Sequence, residues 1–340
     1  MTVPRMTLPS LWATLAIALP VLGTLIAGLS AVDLAYHLRA GADILGTGRI
    51  PTLDTWTFTA AGSSWHDAQW GAQAVFAWVY QVAGWTGLAL LRSVLVATTF
   101  LCLLLACRAR GLDMRRAALL AIAAFIVSAA ALALRPQLVG MALFGILVFL
   151  LADRGAHPGR LWLAPIVVIA WANVHGSFFL GPVLIGLAWL EDLDRRSPGA
   201  RRTLAVAVVA LVAALVNPFG LEVWRYAIGL TTNTFVTSRI TEWQPTSLRS
   251  VDGILFFASA ALVFVLIARR RAVVPWPALV AVGLFAAIGT YAIRGVAWWS
   301  LGMPVVVAEL LSGGGASERP AAGEVAEEQP AAGAARRDRA

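Results

Sequence analysis

The chain has 340 residues, 59% of them hydrophobic and 13% charged, with mean hydropathy +0.78 and a formal net charge of +8. Soluble domains carry roughly 25% charged residues, so a water-soluble globular protein is excluded. All 26 basic residues are Arg, spread in short clusters between apolar runs rather than gathered in one patch, which argues against a nucleic-acid partner.

The repeated apolar runs predict an all-α, polytopic helical membrane protein with about ten transmembrane helices. In chain order these are 9–30, 86–107, 115–133, 137–153, 160–174, 176–190, 202–217, 251–268, 273–292 and 295–311. The first run is longer than the apolar core of about 7–15 residues in a cleaved signal peptide, so it reads as a retained signal-anchor. Residues 31–85 form a long loop. Within it, 69–84 carries Trp70, Trp78 and Tyr80, with Trp85 just beyond, and reads as an interfacial helix. The span 86–107 holds Cys102 and Cys107, read as small buried hydrophobes with no disulfide or metal motif.

Further along, the runs 160–174 and 176–190 are short for a bilayer of about 30 Å and are joined by a tight turn at Asn173–Gly176. The clusters Arg108–Arg116, Arg154–Arg160, Arg195–Arg202 and Arg269–Arg271 all fall on the N-terminal side of the spans. The positive-inside rule makes that side cytoplasmic, and setting topology and meeting anionic lipid accounts for these arginines. The reading is therefore a multi-pass protein of the cytoplasmic (inner) membrane with both termini cytoplasmic and loops 31–85 and 217–250 facing outward. Residues 1–311 form the membrane domain. Residues 312–340, rich in Gly, Ala, Pro and Glu without an aromatic residue, read as a disordered cytoplasmic tail.

The outward loops hold more polar chemistry than topology requires. Asp33 and His37 stand at i, i+4, on one face of a helix. His66 and Asp67 are adjacent, and Asp54 after Pro51 reads as a turn residue. Arg135 and His175 lie close to membrane depth, where an ionisable side chain is costly and lines a cavity or meets a partner. Glu242 beside Trp243 offers a carboxylate and an aromatic face suited to a sugar ring. Arg294 precedes Trp298 and Trp299 in the last outward turn. Three outward histidines with several carboxylates allow a divalent cation, although no fixed ligand spacing is present.

A first span ending in an acid, then "DLAYHLRAGADILGTGRIP", then the aromatic stretch "WHDAQWGAQAVFAWVYQVAG", then an Arg early in the next span, "GLALLRSVLVATTF": this order resembles the GT-C superfamily of membrane glycosyltransferases. The likeness is to the branch of protein O-mannosyltransferases and lipid A aminoarabinose transferases, and is best over residues 10–190. It implies transfer of a sugar from a polyprenyl-phosphate donor to an envelope glycan, lipid or protein acceptor. Asp33 would be the catalytic carboxylate, and Arg135, Arg225, Arg294 or His175 would stand near the lipid phosphate. His37, His66, Asp67 or His175 would shape the acceptor pocket. Where that family places a second acid after the first, this chain has Leu34, which favours a non-catalytic membrane scaffold; a lipid or glycan transporter of the envelope is the remaining alternative.

Overall fold

The computed structural model describes residues 7–29, 32–270 and 274–312. The expected tail therefore lies outside the described residues, apart from Ser312, which ends the last helix. The described residues are helical throughout, with no sheet and one isolated bridge between Leu53 and Ser64.

Helix α1 (Leu8–Ala27) starts where the Thr7 hydroxyl accepts the Ser10 amide and stops at Gly28. Helix α2 (Leu34–Thr47) ends at Gly48, whose φ of +65° is the left-handed conformation that closes a helix. The segment between α2 and the next helix is ordered by Asp54, whose Oδ1 accepts from the amides of Trp56 and Thr57, both at 2.9 Å. Asp54 is thus the turn residue the sequence suggests. The interfacial stretch and second span form one element, α3 (Trp70–Ala109), broken by a kink at Gly84 (φ +58°), so the expected boundary survives as a bend.

Then come α4 (Met114–Ser128), α5 (Pro136–Ala152), α6 (Ala164–Ala172), α7 (Leu180–Asp194) and α8 (Ala200–Ala213). The long second loop contains α9 (Glu222–Thr232) and α10 (Thr234–Arg239), and the chain finishes with α11 (Val251–Arg270), α12 (Trp276–Tyr291) and α13 (Val296–Ser312). Six helical stretches are long and apolar enough to cross a membrane, and three shorter apolar ones accompany them. The protein is a membrane-embedded helical protein, and among the described residues these six have the length and apolarity of a full span. A turn shortens one apolar run: 202–217 is helical only to Ala213 before the turn at 214–221, whereas α5 (Pro136–Ala152) matches the expected 137–153 within one residue.

Two ends of the bundle differ. One end carries the long segments between α2 and α3 and between α8 and α11, and is called here the loop-rich end. At the opposite end, three arginines expected to set topology and meet lipid are also drawn into ion pairs, Arg110 and Arg154 largely buried and Arg195 exposed. Arg110 and Arg154 share Glu191, Arg154 also pairs with Asp192 at 2.8 Å, and Arg195 reaches Glu191 at 2.8 Å and Glu309 at 2.5 Å. Trp298 and Trp299, expected at an outward turn, are buried in α13; Trp298 packs on Phe144 (ring centroids 5.6 Å) and Trp171 (5.9 Å).

The placement of α2 rests on one close approach. A Cβ on Gly41 would lie 1.9 Å from the Gln73 carbonyl oxygen and 2.7 Å from the Ala77 Cβ, so only glycine lets α2 lie against the first half of α3. Gly41→Ala is expected to cost about 1–3 kcal/mol by overpacking. Gly46→Ala, on the same helix with nothing within 4 Å, is expected to stabilise by roughly 0.5–1 kcal/mol through helix propensity. Unfolding in detergent of the two variants side by side checks this; equal stabilities would mean α2 does not depend on that contact.

Candidate functional site

At the loop-rich end, residues distant in sequence meet in one chain of alternating charge. Asp33, at the start of α2, accepts from Arg135 Nε at 2.9 Å, and its other oxygen lies 3.5 Å from His37 Nε2. Arg135 stands just before Pro136 at the start of α5 and also pairs with Glu242. The second Glu242 oxygen accepts from Arg294 at 3.1 Å. Asp33 is 41% exposed, Glu242 38%, and the two arginines about a quarter, so the chain is open to solvent.

The loop carrying Glu242 is anchored on both sides. The Gln244 carbonyl accepts from the Ile293 amide at 3.1 Å, and the Thr246 amide donates to the Thr290 carbonyl at 3.1 Å. Trp243 lies under the Arg294 guanidinium, 4.8 Å from its carbon to the ring centroid. The aromatic face expected as a sugar platform therefore carries a cation.

Charge follows from these contacts. Half-burial alone would raise the Asp33 carboxyl, but the hydrogen bond with His37 and the charge of Arg135 outweigh it and hold Asp33 below the ordinary carboxylate value. Burial works against the Arg135 charge, and Glu242 and Asp33 more than offset it, so Arg135 is a more persistent cation than usual.

His175 sits behind this chain on the turn between α6 and α7. The Trp171 indole donates to the Ser177 hydroxyl at 3.1 Å, which lies 2.6 Å from His175 Nδ1, and the Ser177 amide donates to the same nitrogen at 3.2 Å. Nδ1 is thus an acceptor and the ring proton belongs on Nε2. Burial, and then the charges of Arg294 and His37, push His175 down to about 3, so the ring is neutral at working pH. The same turn is fixed by Asn173, whose side chain accepts from the Trp70 indole at 3.1 Å and donates to the Val216 carbonyl at 2.8 Å.

Asp67 lies on the entry to α3 and is 3% exposed. Burial raises its carboxyl, against hydrogen bonds from the Gln69 amide and Gln73 and the charge of His37. Burial and Asp67 in turn push the Tyr36 hydroxyl upward, and Tyr226 on α9 moves the same way for the same reasons. His66 packs at the edge, 5.7 Å from the Phe219 ring and stacked on Tyr226 at 6.3 Å.

Of the eight residues singled out in the sequence, five (Asp33, His37, Arg135, Glu242 and Arg294) are joined by direct contacts. His175 and Asp67 lie within Coulombic range, and His66 borders them through Tyr226. Sequence reasoning missed Tyr36 and Tyr226, whose only sequence signal is polarity inside amphipathic helices, and Gln73, a single polar residue near the start of the mostly apolar α3. Among the described residues no three His, Cys, Asp or Glu side chains come together to hold an ion. No family model, curated protein or solved structure matches this chain.

Proposed function

We propose that the chain transfers a sugar from a polyprenyl-phosphate donor to an envelope acceptor at the loop-rich end, which the arginine distribution orients outward. The observation that carries this reading is the open chain Asp33–Arg135–Glu242–Arg294, which sets a charged carboxylate beside two guanidiniums at a membrane surface. Asp33 is the base for the acceptor hydroxyl. As the acceptor oxygen attacks, the bond from the anomeric carbon to phosphate breaks, with inversion, and polyprenyl phosphate leaves. Arg135 and Arg294 match a departing phosphate in charge and geometry, and His175 supplies a neutral Nε2–H donor.

A second feature supports a lipid-linked donor. An apolar groove of about 520 Å³ runs between α7, α8 and α9, lined by Pro182, Val183, Val208, Leu211, Trp224 and Ile228. Helix α9 borders both regions: Trp224 and Ile228 face the groove, while Tyr226 meets His66 and feels the charges of Asp67 and Arg294. An isoprenoid chain fits the groove by its apolarity.

One observation favours a different reading. Two acids and two arginines leave the chain electrically neutral, as expected of a structural clamp tying α2, α5, the α10–α11 loop and the start of α13 in a non-catalytic scaffold. The test separates the two. Purified protein is incubated with a panel of polyprenyl-phosphate sugars, and release of lipid phosphate is measured for wild type and Glu242→Gln. Transfer predicts release, and a donor KM that falls several-fold in Glu242→Gln because the arginines lose a competing carboxylate. No release, together with an unfolding temperature that polyprenyl phosphate does not raise, identifies the clamp.

A further inference from the structure

Of the six buried side-chain atoms without a partner among the described residues, four belong to α2 and the entry to α3. They are His37 Nδ1, Trp65 Nε1, Asp67 Oδ2 and Gln73 Oε1. Two of their side chains touch. Gln73 Nε2 donates to Asp67 Oδ1 at 3.2 Å and the Gln69 amide donates to the same oxygen at 3.1 Å, which fixes the carboxyl and leaves one oxygen of each side chain unused. Folded chains pair nearly all buried polar atoms, so unpaired ones gathered on neighbouring, fixed side chains call for a ligand that completes them.

Aromatic rings wall this cluster. Tyr36, Trp56 and Trp65 meet edge to face, with centroids 5.4 Å apart for Tyr36–Trp56, 6.4 Å for Tyr36–Trp65 and 6.3 Å for Trp56–Trp65. Both indoles ride on residues 50–65, a flap pinched by the bridge between Leu53 and Ser64. Among the described residues, the flap's hydrogen bonds stay inside it. The Asp54 amide donates to the Ser63 carbonyl at 2.9 Å and the Trp65 amide to the Thr52 carbonyl at 2.8 Å, while the Asp54 carboxylate holds the turn. Gly48, at φ +65°, stands at its root. The flap can therefore swing as a unit without breaking a hydrogen bond, parting its indoles from Tyr36 and uncovering Asp67 and Gln73.

The cluster's chemistry selects its ligand. Asp67 and Gln73 present acceptors and Trp65 a donor. A phosphate brings acceptors only and would face a carboxylate, and an alkyl chain brings neither. Hydroxyls donate and accept, and adjacent hydroxyls on one ring match a carboxylate beside an amide. Indoles offer the broad apolar surface that the C–H faces of such a ring need. The cluster also adjoins the base. Asp33 and Tyr36 stand at i, i+3 on α2, and the His37 ring lies 5.1 Å from that of Tyr36, with its Nε2 3.5 Å from Asp33.

We propose that Asp67, Gln73 and Trp65 form a carbohydrate subsite, closed by the flap 50–65, that takes the acceptor as a sugar ring rather than as a peptide or a lipid. That the ring is the acceptor rests on the transferase reading above. Asp67 and Gln73 accept from two neighbouring hydroxyls, Trp65 donates to an oxygen of the ring or of a hydroxyl, and Trp56 covers the ring. A further hydroxyl then reaches Asp33.

Binding is read without turnover, by saturation-transfer NMR on the purified full chain. The probes are methyl glycosides of glucose, mannose, galactose and rhamnose, a Ser/Thr-rich peptide and a short-chain phosphatidylglycerol. Wild type is expected to saturate the ring protons of at least one glycoside. Asp67→Asn and Gln73→Leu are each expected to weaken that Kd about 10-fold, the usual effect of losing a hydrogen bond to a buried partner. Trp56→Ala, at a ring 36% exposed and free of hydrogen bonds, should weaken it several-fold in a protein that folds as before. Spin labels at Phe58→Cys and Arg39→Cys, both exposed, with Cys102→Ala and Cys107→Ala, report the flap. The bound glycoside should narrow their distance distribution to one population. No glycoside bound, a Kd unchanged in Asp67→Asn and Trp56→Ala, saturation of the peptide or lipid alone, or a label distance indifferent to glycoside overturns the subsite. Glycoside binding as expected, in a protein that releases lipid phosphate from no donor, overturns the transferase reading and leaves the carbohydrate site standing.

Discussion

Asp33→Asn is expected to lower release of lipid phosphate by about 10²–10⁴-fold, the range for loss of a positioned general base, in a protein that still folds. Asparagine keeps the shape of the side chain and an oxygen for Arg135, and Arg135 keeps Glu242 as a partner. Asp33 is 41% exposed, so losing its ion pair costs stability by no more than roughly 1 kcal/mol. Asp43→Asn removes a comparable i, i+4 pair, with Arg39, which is 77% exposed, and serves as the control expected to leave release unchanged. The pH dependence carries a sign as well. The folded value of Asp33 lies below its unfolded value, so its stabilisation is present above about pH 4 and is lost as pH falls through the folded value. Asp67 runs the other way. Its raised carboxyl contributes stability below the unfolded value and loses it as pH rises through the folded one. Asp67→Asn is therefore expected to be at least as stable as wild type at neutral pH, so any loss of activity there is not a loss of fold. Release by Asp33→Asn at the wild-type rate would remove Asp33 from the reaction.

What the sequence made legible follows from which physics acts locally. Apolar runs, Thr7, Gly28, Gly48 and Asp54 act within a few residues, and α1 (Leu8–Ala27) lies close to the expected 9–30. The pairing of Asp33 with His37 is likewise a matter of i, i+4 geometry. The contacts of Arg135 with Asp33 and Glu242 join residues about a hundred positions apart, and no local rule selects Glu242 over Glu222. Glu222 instead forms an exposed pair with Arg225, three residues on. Gln73 escaped notice because a single polar residue on a mostly apolar helix is ordinary until the tertiary fold buries it, and Tyr226 because a polar residue on an amphipathic helix is ordinary until the fold packs that face. The opposite end misled for a related reason. Arginines beside a span have a sufficient explanation in topology, so the acids that recruit them, Glu191, Asp192 and Glu309, carried no signal of their own.

Those acids set the largest stability effect expected for the chain. Glu191 is 11% exposed and holds Arg110, Arg154 and Arg195 at once, joining the ends of α3, α5 and α7 and, through Glu309, the end of α13. Glu191→Ala leaves Arg110 with only Glu309, at 3.3 Å, and strands positive charge where water is scarce. The expected cost is about 3–5 kcal/mol, the usual penalty for breaking a buried pair from one side. Arg116→Ala breaks a pair with Asp113 in which both side chains are more than half exposed, and is expected to cost about 0–1 kcal/mol. The double variant Arg110→Met, Glu191→Met decides what the cluster is worth. It leaves Arg154 with Asp192 and Arg195 with Glu309, each pair neutral, and fills the space with apolar side chains. Its loss should be smaller than that of Glu191→Ala, because the penalty comes from uncompensated charge rather than from a missing attraction. Equilibrium unfolding in detergent measures all three. A double variant as unstable as Glu191→Ala would mean that Glu191 acts by holding Arg154 and Arg195 in place, and that the four helix ends are registered by this one carboxylate.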